Sequence, residues 1–421
     1  MPAVGPPRGG IAVELTAALA ARGKARVVAG LKALADLRSD AQRTRCLQEG
    51  AGVRAMDALA GFANDVEVVR AACAALQNLA YAANNCVPLV RDGAHTAVMA
   101  AARAHGGDVE VARAACGALQ SLAVAADNKV PLVRDGAHTA VMTAARDHAR
   151  DVAVTRAACA AVMNLAVVAD NCVLLVRDGA HTAMMAAARA HDGDVESARA
   201  ACGALRNLAV AVENRIPLVR DGVHRAVMTA SRAHRGDVEV ARAACLTLRD
   251  LAVADDNDVA LVRDGAHTAV MGAALAHTGD VEVARAACGA LGYLAVAADN
   301  CVPLVRGWAH SVVMVAARAH AGDVEVVRAA CGALRNLAVA AESRVQLVRD
   351  GAHTAVMTAA RVHGGDVEVA RGACTTLCNL SLAPDCRGTL THDGAREFLA
   401  YVSGTHPGDA TLQDYCRRVV L

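Results

Sequence analysis

A chain of 421 residues with 43 basic and 42 acidic side chains carries a formal charge of +1, which leaves no long-range field to favour nucleic acid or an anionic membrane as partner; only local basic patches remain. Hydrophobic residues make up 55% and aromatics 2%, an alanine and valine excess suited to an all-helical core. The uncharged window 71–90 holds Gln77, Asn78, Asn84, Asn85 and Pro88, and sister copies place Asp127 or Glu213 in its middle, so no membrane insertion is expected.

Taken in chain order, "MPAVGPPRGG" lacks a basic start followed by an apolar run, and Pro2 stands where myristoylation needs Gly, so neither secretion nor lipid anchoring is expected. Residues 1–10 read as a disordered Pro/Gly tail. Residues 1–21 as a whole read as a poorly ordered tail containing the start of a cap, and 22–64 as a degenerate capping repeat that exchanges apolar positions for Lys, Arg and Gln. Asp65, Asp108, Asp151, Asp194, Asp237, Asp280, Asp323 and Asp366 then open eight copies of one unit at a constant spacing, without insertion or deletion. A fixed period of that size predicts a solenoid of stacked repeats. The eight copies span 65–408, the last degenerate, and 409–421 reads as a C-terminal capping helix.

Within the copy that starts at Asp108, the aspartate is a good N-cap and Glu110 suits the first turn of a helix running to about Ala125. Val109, Ala112, Cys116, Leu119 and Ala123 form its apolar stripe, and Val111, Ala115 and Leu122 widen it. The remaining stripe, Glu110, Arg113, Gly117 and Gln120/Ser121, is polar and faces solvent or a partner. A short helix fits 128–135, capped by Asp127/Asn128, with Pro131 in its first turn and Gly136 as a left-handed stop. A third helix runs from about His138 to His148.

Eight of the fifteen cysteines, Cys73, Cys116, Cys159, Cys202, Cys245, Cys288, Cys331 and Cys374, form one column. Equivalent residues of stacked helices lie roughly 8–10 Å apart, beyond disulfide reach. Free thiols of a reducing compartment, cytoplasm and/or nucleus, are expected. The other cysteines show no zinc-ligand spacing. Met99, Met142, Met185, Met228, Met271, Met314 and Met357 follow helical packing and read as core. The two histidine columns, His95 through His353 and His105 through His363, lie ten helical residues, about 15 Å, apart within a copy, too far to share an ion, and read as capping and surface residues. There is no P-loop, HExxH or GxSxG, and Cys and His recur in every copy where a catalytic residue is usually unique. No catalytic residue, cofactor or metal is expected.

"CAALQNLA" (73–80), "CGALRNLA" (202–209 and 331–338) and "LVRDGA" (89–94 onward), with turn glycines at Gly93, Gly136, Gly179, Gly222, Gly265 and Gly351, resemble the armadillo repeat over roughly 22–421. HEAT repeats are the nearest rival but lack the Gly-marked three-helix division. The resemblance implies an all-α, right-handed armadillo-type α-solenoid, a superhelix of about nine to ten three-helix repeats. It also implies a concave groove where the Asn of "ALxNLA" bonds a partner's backbone, here Asn78, Asn164, Asn207, Asn336 and Asn379, interrupted by Ser121, Asp250 and Tyr293. Two helical turns earlier stand Arg70, Arg113, Arg156, Arg199, Arg242, Arg285, Arg328 and Arg371, placed to grip carboxylates. Glu67, Glu110, Glu196, Glu239, Glu282, Glu325 and Glu368, three residues before those arginines, support instead a self-neutralised helix face.

The column Gln77, Gln120, Met163, Arg206, Arg249, Gly292, Arg335 and Cys378 varies, as a binding surface or drift would make it, and its arginines make the second half more basic. Importin-α-like receptors carry Trp four residues before the Asn; Ala74, Gly117, Ala160, Gly203, Leu246, Gly289, Gly332 and Thr375 stand there, so no aromatic cage for lysine is expected. The groove looks more like the basic, acidic-partner type of the β-catenin branch. The expectation is a non-enzymatic, monomeric protein-interaction scaffold binding an extended, acidic segment. A soluble karyopherin-like transport receptor and a structural subunit of a larger regulatory complex are the alternatives. Charge reversal at Arg199, Arg242 and Arg285 is expected to abolish capture and leave unfolding unchanged. In "VRGWAHSVVM", Gly307 and Trp308 replace Asp-Gly; Gly307 is expected to take the positive φ, with Trp308 partly exposed.

Overall fold

A computed structural model describes residues 10–419. The Pro/Gly stretch 1–9 and the last two residues of the C-terminal stretch lie outside the described residues. Every element among the described residues is helical. The chain divides into two compact units, Met1–Ala211 and Val212–Leu421, and in each the fold is an all-α solenoid.

The repeat is built as its residues dictate. Asp108 sits in extended backbone and accepts hydrogen bonds from the N–H groups of Glu110 (3.1 Å) and Val111 (3.0 Å), opening the long helix Val109–Leu122. The short helix Ala126–Arg134 follows, Gly136 turns at φ 86°, and Ala137–Asp147 completes the copy. The long helix stops three residues earlier than expected. Asn128 is the reason: it caps nothing, but from the first turn of the short helix its Nδ2 donates back to Leu122 O (2.9 Å) and across to Cys86 O in the preceding copy (2.9 Å). The bond to Leu122 O satisfies a carbonyl that a continuing helix would otherwise have used, and the bond to Cys86 O joins the two copies.

In the first unit the long helices Val66–Ala80, Val109–Leu122, Val152–Leu165 and Val195–Val210 pack in succession. In the second, Val238–Ala252, Val281–Leu294, Val324–Leu337, Val367–Ser381 and the terminal Ala410–Arg418 do the same. Alanine and leucine fill the contacts, and the cysteine column is buried and free of disulfides. The methionine column is buried except at Met271, which is half-exposed.

Three expectations are corrected. Residues 11–20, read as part of a tail, form the helix Ile11–Ala20, which buries Ala12, Leu15 and Ala18 and packs on Lys24–Ala35. The first histidine column is not a surface feature: His95, His138, His224, His310 and His353 are buried. Their Nε2 atoms meet the Asp of the next copy's turn, 3.0 Å to Asp135, 3.0 Å to Asp178, 2.9 Å to Asp264, 2.7 Å to Asp350 and 2.8 Å to Asp393. The third concerns Gly307, whose φ is −79°, while Trp308 itself takes the left-handed turn at φ 68°. Gly307 N–H bonds Pro303 O and Trp308 N–H bonds Val305 O, the pattern that Asp135 and Gly136 make with Pro131 and Val133. Hydrogen-bond register therefore decides which residue turns. Trp308 is 59% exposed, as expected.

Candidate functional site

The polar stripe of the long helices lines an open cleft in the first unit. It has a volume of about 770 Å³ and a floor of Ala71, Ala74, Ala114, Gly117, Ala153 and Ala157, with Glu67, Arg70, Gln77, Glu110, Arg113 and Gln120 around it. The structure thus brings together the arginine and variable columns of adjacent copies. Its electrostatics differ from those the sequence suggested.

Each arginine already holds a carboxylate. Arg70, Arg113 and Arg156 in the first unit, and Arg242, Arg285, Arg328 and Arg371 in the second, donate to the N-cap aspartate 38 residues on. Arg70 Nε lies 2.9 Å from Asp108, and Arg371 Nη2 lies 3.0 Å from Asp409 at the terminal helix. Arg113, Arg199, Arg242, Arg285, Arg328 and Arg371 also bind the Glu three residues before them. One aspartate thereby caps its own helix and ties the preceding one. The adjacent guanidinium holds Asp108 and Asp151 at about 2, well below the usual carboxylate range. Reversing Arg242 or Arg285 would confront Asp280 or Asp323 with a like charge, so the expectation of unchanged unfolding does not hold. At the first capping repeat Lys24 substitutes, 2.8 Å from Asp65.

The asparagines are tied in the same manner. Asn78 is 6% exposed; its Nδ2 donates to Leu34 O and Leu37 O, and its Oδ1 accepts from Arg43 Nε. Asn164, Asn207, Asn336 and Asn379 each donate Nδ2 to the carbonyl 44 residues back, on Gln120, Met163, Gly292 and Arg335. These amides join copies to each other, whatever else their oxygens accept. Tyr293, in the place of an Asn, is 42% exposed.

The variable column packs as well. A Cβ on Gly117 would come 2.2 Å from Gln77 Nε2, one on Gly203 2.7 Å from Met163 Sδ, and one on Gly289 3.1 Å from Arg249 Cδ. At these three positions the preceding copy's variable side chain therefore covers the glycine. Gly332 is the contrast: nothing lies within 4 Å of its Cβ direction. Arg249 bonds Asp250 at 2.7 Å, whereas Arg206 and Arg335 are exposed.

Sequence reasoning missed the pairing of columns across copies. The second histidine column shows it again: His105, His148, His277, His320, His363 and His406 place Nε2 against the carbonyl 42 residues earlier. No group of three or more metal-ligating side chains occurs among the described residues. No described helix is long and apolar enough to cross a membrane.

No family model matches the chain, and no curated protein matches it. Among solved structures, the armadillo-repeat protein β-catenin matches with a TM-score of 0.53 at 16% identity, over 98% of this chain and 91% of its own. That structure concerns a phosphorylation switch controlling the interaction between cadherin and β-catenin. The likeness establishes the fold, an armadillo-type all-α solenoid.

Proposed function

We propose that the chain is a non-enzymatic protein-interaction scaffold, monomeric and resident in cytoplasm or nucleus, that receives an extended partner segment along the face of the long helices. The observation that carries this reading is the open, alanine- and glycine-floored cleft between ladders of paired charge. A floor of short side chains, overhung at Gly117 by Gln77, lets a partner backbone come close. The preference for acidic segments narrows to the exposed Arg206 and Arg335, because the long arginine column is occupied by the chain's own carboxylates.

Filling the floor tests the reading. Ala74→Tyr and Ala157→Tyr each put a ring at a half-buried floor position of the cleft, and circular dichroism checks that the helices are retained. Partners captured from lysate by the wild-type chain should be lost with Ala157→Tyr and Ala74→Tyr, and weakened by Arg206→Glu and Arg335→Glu. Equal capture by all four variants would reject the cleft as the binding face.

A further inference from the structure

The terminal helix Ala410–Arg418 keeps the repeat's frame at its start: Asp409 caps it and takes Arg371, as Asp108, Asp151, Asp194, Asp280, Asp323 and Asp366 take theirs. Its cysteine breaks that frame. Cys416 stands where the copies carry Ala72, Ala115, Ala158, Ala201, Ala244, Ala287, Ala330 and Ala373, one residue short of the cysteine column. One residue turns a side chain by about 100° around a helix. The turn brings Cys416 Sγ to 3.9 Å from Cys374 Sγ, across the packed pair Val367–Ser381 and Ala410–Arg418.

The other column thiols have no such neighbour at hydrogen-bond distance. Burial pushes Cys73, Cys116, Cys159, Cys202, Cys245, Cys288 and Cys331 up to about 12, which leaves them unreactive. Only Cys378 and Cys416 are partly open to solvent. Cys416 is thus both reachable and paired.

We propose that Cys374 and Cys416 are an oxidative modification site, at which a hydroperoxide forms a disulfide that fastens the terminal helix to the last full repeat. In the first step the Cys416 thiolate attacks the peroxide, the O–O bond breaks, and a sulfenic acid and an alcohol, or water, result. In the second, the Cys374 sulfur displaces the sulfenic hydroxyl. The S–S bond forms as the S–O bond breaks, and the Cys374 proton leaves with the hydroxyl as water. Two thiols are oxidised, one hydroperoxide is reduced, and a thiol reductant reverses the change. The contact with Cys374 lowers the Cys416 pKa, and Cys416 is the more open of the two thiols, which together favour it as the attacking group. Leu412 is the one buried side chain of the terminal helix, and its polar anchors, Asp409 to Arg371 and Gln413 to Ser403 and His406, lie in its first half. The covalent tie would fasten its second half as well.

The full chain, treated with hydrogen peroxide, alkylated and digested without reductant, should yield peptides linked through Cys374 and Cys416, with fragment ions assigning both positions. Dithiothreitol should release them, Cys416→Ser should abolish the link, and Cys378→Ser should leave it. Amide exchange in Ala410–Arg418 should slow about tenfold on oxidation. Cys416→Ser alters a partly open thiol, and its circular dichroism should match the wild type, so a missing link cannot be ascribed to unfolding. Oxidation of Cys416 to sulfinic acid with Cys374 still free, a link through Cys378 instead, or unchanged exchange would each overturn the proposal.

Discussion

His224 and His267 occupy the same place in successive copies, yet face different neighbours. His224 is buried, and its Nε2 lies 2.9 Å from Asp264, which also takes Arg225 at 2.7 Å and Arg263 at 3.2 Å. The guanidinium and imidazole groups hold Asp264 far below the usual carboxylate range, with His224 the largest cause. His267 faces Gly307, which offers no carboxylate, and burial lowers its pKa. The same joint carries Tyr293 in the asparagine column, Trp308 in the glycine turn and Asp258 in a column of donors. The comparison teaches that stability in this array is written joint by joint, and that four substitutions have gathered at one of them.

Asp258 gives the largest effect. In other copies Cys86, Cys172 and Cys301 hold its place, donating to carbonyls of their own copy at 3.2, 3.1 and 3.4 Å and of the next at 3.5, 3.5 and 3.4 Å. A carboxyl donates there only when protonated. Asp258 is 1% exposed, its Oδ1 has no partner among the described residues, and burial followed by the Asp255 charge pushes its pKa to about 7. A carboxyl raised in the folded state contributes stability fully below about pH 4, and that contribution is lost as pH rises through about 7. The loss is of order 4 kcal/mol. Amide exchange in Asp258–Arg263 and Val281–Leu294 should therefore quicken relative to Val238–Ala252 between pH 5 and 8, after correction for intrinsic rates. Asp258→Asn should remove the difference; parallel pH profiles for wild type and variant would show that Asp258 titrates normally.

Breaking the intact joint comes next. Asp264→Ala strands the buried His224, a cost of about 2 kcal/mol, while the exposed Arg225 and Arg263 stay solvated. Local exchange should then make the His224 joint open as readily as the His267 joint. If Val223–Ala233 and Ala266–Ala276 keep their wild-type order of protection, the carboxylate is not what separates the two.

Much of this fold was legible because its local signals are strong. Asp at each N-cap and Gly at each turn predicted where helices start and stop, and Asp108 and Gly136 do what such residues do. What escaped lies one copy away: arginine to aspartate at 38 residues, histidine to aspartate at 40, histidine to carbonyl at 42, asparagine to carbonyl at 44. A repeat shows its columns plainly, but which columns meet depends on the rise and rotation between copies, and no single copy encodes those. One signal was available. The arginine and N-cap aspartate columns are both unbroken, as paired columns would be, whereas the glutamate column lapses at Ala153 beneath an intact Arg156. The groove reading failed to use it because the asparagines and arginines were assigned to a partner before the chain's own demands were met.

Repairing the weak joint is the third test. Gly307 has an ordinary φ of −79°, and a Cβ there comes 3.2 Å from Pro303 O, at a site where the other full copies carry aspartate. Gly307→Asp should return a carboxylate to His267 and restrict the unfolded chain, a gain of about 1 kcal/mol. His267 titration should move upward from its lowered value, and proton NMR of the imidazole measures that directly. An unmoved titration would mean that the ring and the new carboxylate do not meet.

Trp308→Gly is the smallest change and the most finely balanced. A tryptophan in the left-handed region costs about 1–2 kcal/mol that glycine escapes. Against this, the indole stacks on His310, ring centroids 6.0 Å apart and planes 25° apart, a contact in the range of about 0.5–1.5 kcal/mol. His310 keeps its bond to Asp350 either way, at 2.7 Å, so only the stacking is lost. At the equivalent glycines, such as Gly136 and Gly265, nothing lies within 4 Å of the Cβ direction, so the indole relieves no void that glycine would leave. The two terms nearly cancel, and the variant should be between neutral and about 1 kcal/mol more stable. Acrylamide should quench the wild-type fluorescence readily, since the sole tryptophan is 59% exposed. A fall in the thermal midpoint of the second unit would mean that stacking on His310 outweighs the strained turn, and that the tryptophan holds this joint together.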